Sequence, residues 1–106
     1  MLRIYEDMLA LVRELRPWVE RVERQDADLA RQLRRALWSG PLNVSEGSEV
    51  AGGNRTQRYR TALGSVREVL SCLEVGEAAG FLPALPRELR ERFGKISATL
   101  AKVVRR

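Results

Sequence analysis

The segment RRALWSGPLNVSEG, residues 34–47, is decisive for predicting the fold. It places Ser39, Gly40 and Pro41 in the middle of a helical pattern, where Gly and Pro are unfavourable. In a helix interior, Gly costs about 1 kcal/mol and Pro about 3 kcal/mol relative to Ala. Apolar or small residues nevertheless recur at helical steps of three and four through the whole region. They are Leu29, Leu33, Ala36, Gly40, Val44 and Gly47. The spacing therefore predicts one helix over 28–47 that bends at Pro41, with small residues that let a neighbouring helix approach closely.

Three other segments show the same helical spacing, over residues 2–24, 55–79 and 87–104. The first apolar seam comprises Ile4, Met8, Leu11, Leu15, Trp18 and Val22. The third comprises Tyr59, Leu63, Val66, Leu70 and Leu73. The fourth comprises Leu89, Phe93, Ile96, Leu100 and either Val103 or Val104. Pro17 predicts that the first helix either kinks or ends near Leu15 and restarts.

The predicted helix boundaries carry capping residues. Asp26 or Asp28 is expected to cap the second helix. Asn54 is expected to cap the third helix, with Gln57 three residues later as in a capping box. Gly80 is typical of a residue that ends a helix. These signals divide the chain into four helices joined by short connections.

Four helices with one apolar seam each predict an all-α, up-down-up-down four-helix bundle with a kinked second helix. Strand signals are nearly absent from the sequence. The length of 106 residues suits a single domain over 1–106. Gly64 is a weak helix former inside the third helix, and it predicts close packing at that point.

The charge of the chain is unevenly distributed. The net charge is +5, and Arg supplies most of the basic residues. Residues 31–67 hold seven Arg against two Glu, and residues 84–106 hold seven basic residues against two Glu. Such basic regions attract nucleic acid or another polyanion. The alternative is a soluble protein from a genome that favours arginine, and both interpretations stay open.

The sequence offers little for catalysis. It has no His, which removes the commonest general base and a common metal ligand. Cys72 is alone among apolar neighbours, which predicts a buried, inert thiol. Glu46 and Glu68 lack the histidines that accompany carboxylates in ferritin-like metal sites. We therefore expect no catalytic residue, no metal and no cofactor.

No membrane segment is expected. The apolar run Met8–Val12 is too short for a signal sequence or a bilayer span. Charges of both signs are interleaved through most of the chain, which is typical of solvated helix faces. The expected compartment is the cytoplasm.

The second helix carries a long motif that resembles a known family. Residues 32–36 (QLRRA), Ser39, Pro41 and residues 43–47 (NVSEG) follow the pattern Q-[IL]-R-R-A-x-x-S-[IV]-P-x-N-[IV]-[AS]-E-G. Further matches are Arg55, Tyr59, Arg60, residues 62–65 (ALGS), Glu68, residues 73–74 (LE) and residues 80–82 (GFL). Over residues 4–104 the chain is similar to the four helix bundle protein family, whose members are encoded in intervening sequences of bacterial 23S ribosomal RNA genes.

The resemblance implies an up-down bundle that assembles as a ring-shaped homopentamer. The family is similar in structure to the accessory variability determinant of diversity-generating retroelements, a basic pentamer that binds nucleic acid and partners a reverse transcriptase. By this resemblance, the chain is expected to be a nucleic-acid-binding accessory protein. Its expected partners are copies of itself, RNA or DNA, and a reverse transcriptase, an RNA-processing factor or another protein.

Six arginines are expected to contact the backbones of RNA or DNA. They are Arg31, Arg34, Arg35, Arg55, Arg58 and Arg60. Arg binds phosphate with two hydrogen bonds, and Trp38, beside the first three, can stack on unpaired bases. The last three follow Gly52 and Gly53 at a helix N-terminus, which attracts anions. The alternatives are a solvated face and a subunit interface that contains Trp38.

A second group of residues is expected to determine packing and assembly. They are Pro41, Asn43, Glu46, Gly64 and Glu68. Ser39 and Asn43 are expected to satisfy backbone groups near Pro41, and Glu46 to pair with an arginine of a neighbouring helix or subunit. A ligand or partner contact at Asn43 and Glu46 is the alternative.

Two functional hypotheses follow from the residues and the resemblance. The first is a non-enzymatic, homopentameric protein that binds nucleic-acid backbones. The second is a structural or protein-interaction subunit whose basic surface docks an acidic protein partner. An enzyme is not expected, because no nucleophile–base pair or cofactor motif is present.

Overall fold

The computed structural model describes residues 2–105, with side chains from residue 3 onward. Its helices are α1 (Leu2–Glu23), α2 (Ala27–Gly47), α3 (Gly53–Ala78) and α4 (Arg87–Val104). Each helix packs against the next along the chain, and α1 also packs against α4. The described residues contain no strand, so the predicted all-α four-helix bundle is confirmed. No helix within residues 2–105 is long and apolar enough to cross a bilayer.

Both helices that contain an interior proline run through it. α1 is continuous across Pro17, so the predicted alternative of an end near Leu15 is wrong. α2 is continuous across Pro41, as its apolar seam predicted. Proline removes one backbone hydrogen bond, which does not end a helix whose inner face is packed along its whole length. The bend at Pro41 stays a prediction.

The core follows the predicted seams with one shift in α1. Val19, rather than Trp18, occupies the inner position between Leu15 and Val22. Trp18 is partly buried at the edge of the core, in a groove that also contains Pro83. A step of four residues from Leu15 keeps Val19 on the inner face, whereas the bulky indole of Trp18 lies at the rim.

Seam positions in α2, α3 and α4 also lie at the edge of the core, those of α4 being Val103 and Val104. Leu29 and Leu70 are partly buried, whereas their neighbours Ala30 and Val69 are buried. The inner face of a packed helix is wider than a strict seam, so adjacent residues share it. Cys72 is buried as predicted, and burial raises the pKa of its thiol.

The helix ends confirm two of the three predicted caps. The Leu29 N–H donates to Oδ1 of Asp26 at 2.9 Å, so Asp26 caps α2. Gly80 ends α3 with φ +83°, and its N–H donates to the Glu77 carbonyl at 3.0 Å. The Asn54 cap is wrong: α3 begins at Gly53, two residues before its predicted start, and the flanking residue is Gly52, whose φ of +67° suits a residue without Cβ.

Close packing at glycine is found in α2 but not at Gly64. A Cβ on Gly40 would lie 2.5 Å from Cε of Met8, and one on Gly47 would lie 2.7 Å from Cε1 of Tyr59. A Cβ on Gly64 would meet no described atom within 4 Å, so the close approach predicted there is absent within the chain. Gly64 is exposed because the inner face of α3 is formed by residues on either side of it.

Candidate nucleic-acid interface

A line of polar contacts joins α2 to α3 beside the apolar core. The Asn43 side-chain amide donates to the Ser39 carbonyl at 2.9 Å, as expected for a group that satisfies backbone near Pro41. The hydroxyls of Ser39 and Ser65 lie 2.8 Å apart. Ser65 also donates to the Thr61 carbonyl at 3.0 Å, and it is the buried polar residue of the described core. These bonds set the register of α2 against α3.

Arg58 crosses from α3 to the end of α2. Its Nη2 lies 3.0 Å from Oε2 of Glu46, and its Nη1 donates to Oδ1 of Asn43 at 3.3 Å. The pairing of Glu46 with an arginine of a neighbouring helix is therefore present. Both charged side chains are about half exposed, so a phosphate group can reach the guanidinium.

Arg55 is turned toward the C-terminus of α2. Its Nε donates to the Gly47 carbonyl at 3.2 Å, and its Nη2 donates to the Ser48 carbonyl at 3.5 Å. A cation in this position complements the partial negative charge at the end of a helix. Arg55 has no carboxylate within 4 Å in the described part of the chain.

The N-terminus of α3 is open to solvent. The flanking Gly52 has no side chain to bond the first amides, and a Cβ on Gly52 or Gly53 would meet no described atom within 4 Å. Arg60 lies in the second turn, where its Nη1 donates to Oε1 of Gln57 at 3.4 Å. Unbonded amides and nearby arginines together make this end of α3 electropositive.

The predicted cluster on α2 divides between two sides of the helix. Arg34 and Trp38 line a groove between α1 and α2, whereas Arg35 lines a groove between α2 and α3. Adjacent residues are separated by about 100° around a helix, so Arg34 and Arg35 reach different neighbours. Arg31 lies between them and pairs with Asp28 at 3.0 Å.

Arg34 forms an ion pair with Glu23 of α1. Hydrogen bonding and charge from Arg34 lower the pKa of the Glu23 carboxyl. The same hydrogen bond raises the pKa of the Arg34 guanidinium. Three of the six predicted arginines, Arg31, Arg34 and Arg58, therefore already have a carboxylate partner within the chain.

The α2–α3 groove is an open, polar depression of about 460 Å³. Its lining residues are Gln32, Arg35, Ala36, Ser39, Ser65 and Glu68. The Gln32 amide donates to Oε2 of Glu68 at 3.3 Å. Arg35 shares the groove with Glu68, yet no carboxylate of the described residues lies within 4 Å of its guanidinium. Arg35 is therefore an available cation.

The α1–α2 groove has an apolar floor and charged rims, with a volume of about 260 Å³. Its lining residues are Val12, Arg16, Val19, Glu20, Arg34, Leu37 and Trp38. Trp38 is 52% exposed, and Leu42, one turn further along α2, is 60% exposed. Sequence reasoning missed Arg16 and Leu42, although the four-residue step from Trp38 to Leu42 is visible in the sequence.

Within residues 2–105, no group of three His, Cys, Asp or Glu side chains is arranged to hold a metal ion. Comparison of the chain with known protein families, with curated proteins and with solved structures found no match. The proposed function therefore rests on the geometry described above.

Proposed function

We propose that this chain is a cytoplasmic, non-enzymatic accessory protein that binds RNA or DNA by its phosphate backbone. The open N-terminus of α3 carries this proposal, because it combines unbonded amides with Arg55 and Arg60 and has no side-chain cap. A nucleic-acid phosphate is the anion that such an electropositive helix end binds most directly.

The arginines differ in how readily they reach a phosphate. Arg35, Arg55 and Arg60 have no carboxylate within 4 Å in the described part of the chain. Exposed ion pairs contribute about 0–1 kcal/mol. The paired arginines, Arg31 and Arg58, therefore exchange their carboxylate for a phosphate at little cost. All six predicted arginines stay in the proposal, although Arg34 lies on the α1–α2 side of α2.

The spacing of the cations suits an extended polyanion. Arg58 lies at one end of the α2–α3 face, and Arg35 lies in the groove beside Glu68. Arg58 and Glu68 are separated along α3 by about 15 Å of helical rise. A strand of several nucleotides is long enough to span that distance, so one nucleic-acid segment is expected to contact both cations.

The proposal includes assembly as a homopentamer of the family that the motif in residues 32–47 resembles. On the outer face of α3, Gly64, Ser71 and Val75 follow one another at steps of seven and four residues and are exposed. Gly64 offers close approach, and Val75 is a large apolar side chain that is 55% exposed. A second copy packed on this face would bury both. Light scattering measures the mass of the assembly, which is expected to be five times that of one chain. A mass equal to that of one chain would contradict assembly.

The experiment is a salt series of fluorescence anisotropy with labelled single-stranded RNA, structured RNA and duplex DNA. An Arg55→Ala/Arg60→Ala variant is compared with an Arg24→Ala/Arg87→Ala variant, whose exposed arginines lie at the opposite end of the bundle. Both variants lose two positive charges. With single-stranded RNA, the log–log salt slope should fall by about 1.4 in the first variant only, since each lost contact removes about 0.7.

Two results would overturn the proposal: no binding at low salt, or the same change of slope in both variants. The single variant Arg60→Ala controls for unfolding of the double variant, because the hydrogen bond of Arg60 is to Gln57 of the same helix. It should lower the slope by about half as much as the double variant.

A second candidate function is docking of an acidic protein partner. Trp38 and Leu42 are both more than half exposed, and Arg34 and Arg35 precede Trp38 by about one turn of α2. Aromatic residues and Arg are enriched in protein interfaces. Binding to an acidic polypeptide in the absence of any nucleic-acid binding would favour this candidate.

A further inference from the structure

The α1–α2 groove places an aromatic ring beside two cations. Trp38 forms one wall, and Leu37 and Val19 belong to the apolar lining. Arg34 lies one turn before Trp38 on α2, and Arg16 lies on α1 across the groove. Arg16 has no carboxylate within 4 Å among the described residues. The groove therefore offers an aromatic surface together with the cation of Arg16, unpaired in the described part of the chain, and the ion pair of Arg34 with Glu23.

We propose that this groove is a stacking subsite for one unpaired base of a single-stranded nucleic acid, an inference that rests on the proposed function. The base lies against the exposed face of Trp38, and the adjoining phosphate contacts Arg16 or Arg34. The carboxylate of Glu20, which also lines the groove, accepts a hydrogen bond from the N–H edge of the base.

The groove favours a single strand over a duplex. Bases in a duplex are stacked on both faces, so their rings cannot lie against Trp38 unless the duplex opens. An unpaired base has a free face, and stacking on an aromatic side chain is tolerant of sequence. The groove also favours nucleic acid over an acidic peptide, because a carboxylate side chain uses the cations but leaves the apolar walls uncovered.

The chain contains two tryptophans, so the fluorescence of each can be measured separately. In a Trp18→Phe variant the remaining indole is that of Trp38, and in a matched Trp38→Phe variant it is that of Trp18, which lies in a different groove beside Pro83. Each variant is titrated with an oligouridylate, with a DNA duplex of the same number of phosphates and with polyglutamate. Oligouridylate is expected to quench the fluorescence of Trp38 and to leave that of Trp18 unchanged.

Affinity provides a second readout. Trp38→Ala should weaken binding of oligouridylate by roughly 5- to 150-fold, the range for one stacked base, and leave binding of the duplex unchanged. Trp38→Phe keeps an aromatic ring and should retain most of the affinity for the single strand. Because Trp38 is half exposed, these variants are expected to fold, and circular dichroism melting curves check that they do.

Each result distinguishes this subsite from the proposed function. Binding of oligouridylate without quenching of Trp38, or an equal loss of duplex affinity in Trp38→Ala, overturns the subsite and leaves backbone binding intact. Quenching by polyglutamate as strong as that by oligouridylate overturns it in favour of an acidic protein. No binding of either nucleic acid overturns the proposed function and the subsite together.

Discussion

Gly47 is the position at which one added methyl group should disturb the α2–α3 interface most. A Cβ there would lie 2.7 Å from Cε1 and 3.0 Å from Cδ1 of Tyr59, and 3.2 Å from Cβ of Arg58. Carbon atoms in contact prefer about 3.5–4.0 Å, so α3 must shift by roughly 1 Å. Tyr59 is only 1% exposed, and its ring therefore cannot move into solvent to relieve the contact.

The expected cost of Gly47→Ala follows from two opposing effects. Overpacking of a well-filled interface costs about 1–3 kcal/mol. Replacing Gly with Ala in a helix gains up to about 1 kcal/mol, and less at Gly47 because it is the last residue of α2. The variant should therefore be less stable by about 1–2 kcal/mol. For a domain of this size that lowers Tm by roughly 4–16 °C.

Gly94→Ala is the matched control, because it makes the same chemical change at an exposed position inside α4. No described atom lies within 4 Å of its added Cβ. This variant should be more stable by about 0.5–1 kcal/mol. Thermal and urea unfolding, followed by circular dichroism, measure both variants. If Gly47→Ala were as stable as Gly94→Ala, the close packing of α2 on α3 would be refuted.

Pro41→Ala should change the oligomer mass measured by light scattering, and an unchanged mass together with an unchanged melting curve would contradict a role for Pro41 in assembly. Glu46→Gln should cost at most about 1 kcal/mol of stability, because the pair with Arg58 is half exposed. In an Arg58→Ala background that cost should disappear; a persistent cost would show that Glu46 acts through another group. Since Arg34 lowers the pKa of Glu23 on folding, stabilisation by this pair is present above the ordinary glutamate pKa and lost as pH falls through the lowered value. Acid unfolding curves should show this loss in the wild type and not in Glu23→Gln.

The helices were predictable because local signals agree along the chain. Predicted and observed helix bounds differ by at most two residues, and the apolar spacing correctly predicts that α2 continues through Pro41. The cap at Asp26 and the stop at Gly80 depend on single residues whose backbone preferences act locally. At Asn54 the local signal failed, because Gly52 adopts a positive φ and the helix starts before the expected capping residue.

The candidate site was less predictable because it depends on contacts between helices. The sequence does not show that Arg58 reaches Glu46, that Arg34 pairs with Glu23, or that Arg55 faces the end of α2. These contacts are set by the register between antiparallel helices, which depends on packing in three dimensions. For the same reason Gly47 and Gly64 look alike in sequence, although one is packed against Tyr59 and the other is open.

Binding of the wild-type protein to a labelled single-stranded RNA across a salt series tests the central claim most directly. Contacts from Arg35, Arg55 and Arg60 alone predict that log Kobs falls linearly with log salt, with a slope of about −2 per bound chain. A slope at least that steep is the expected result. No binding at low salt, or an affinity that does not change with salt, would contradict the proposal that this bundle binds nucleic-acid backbones.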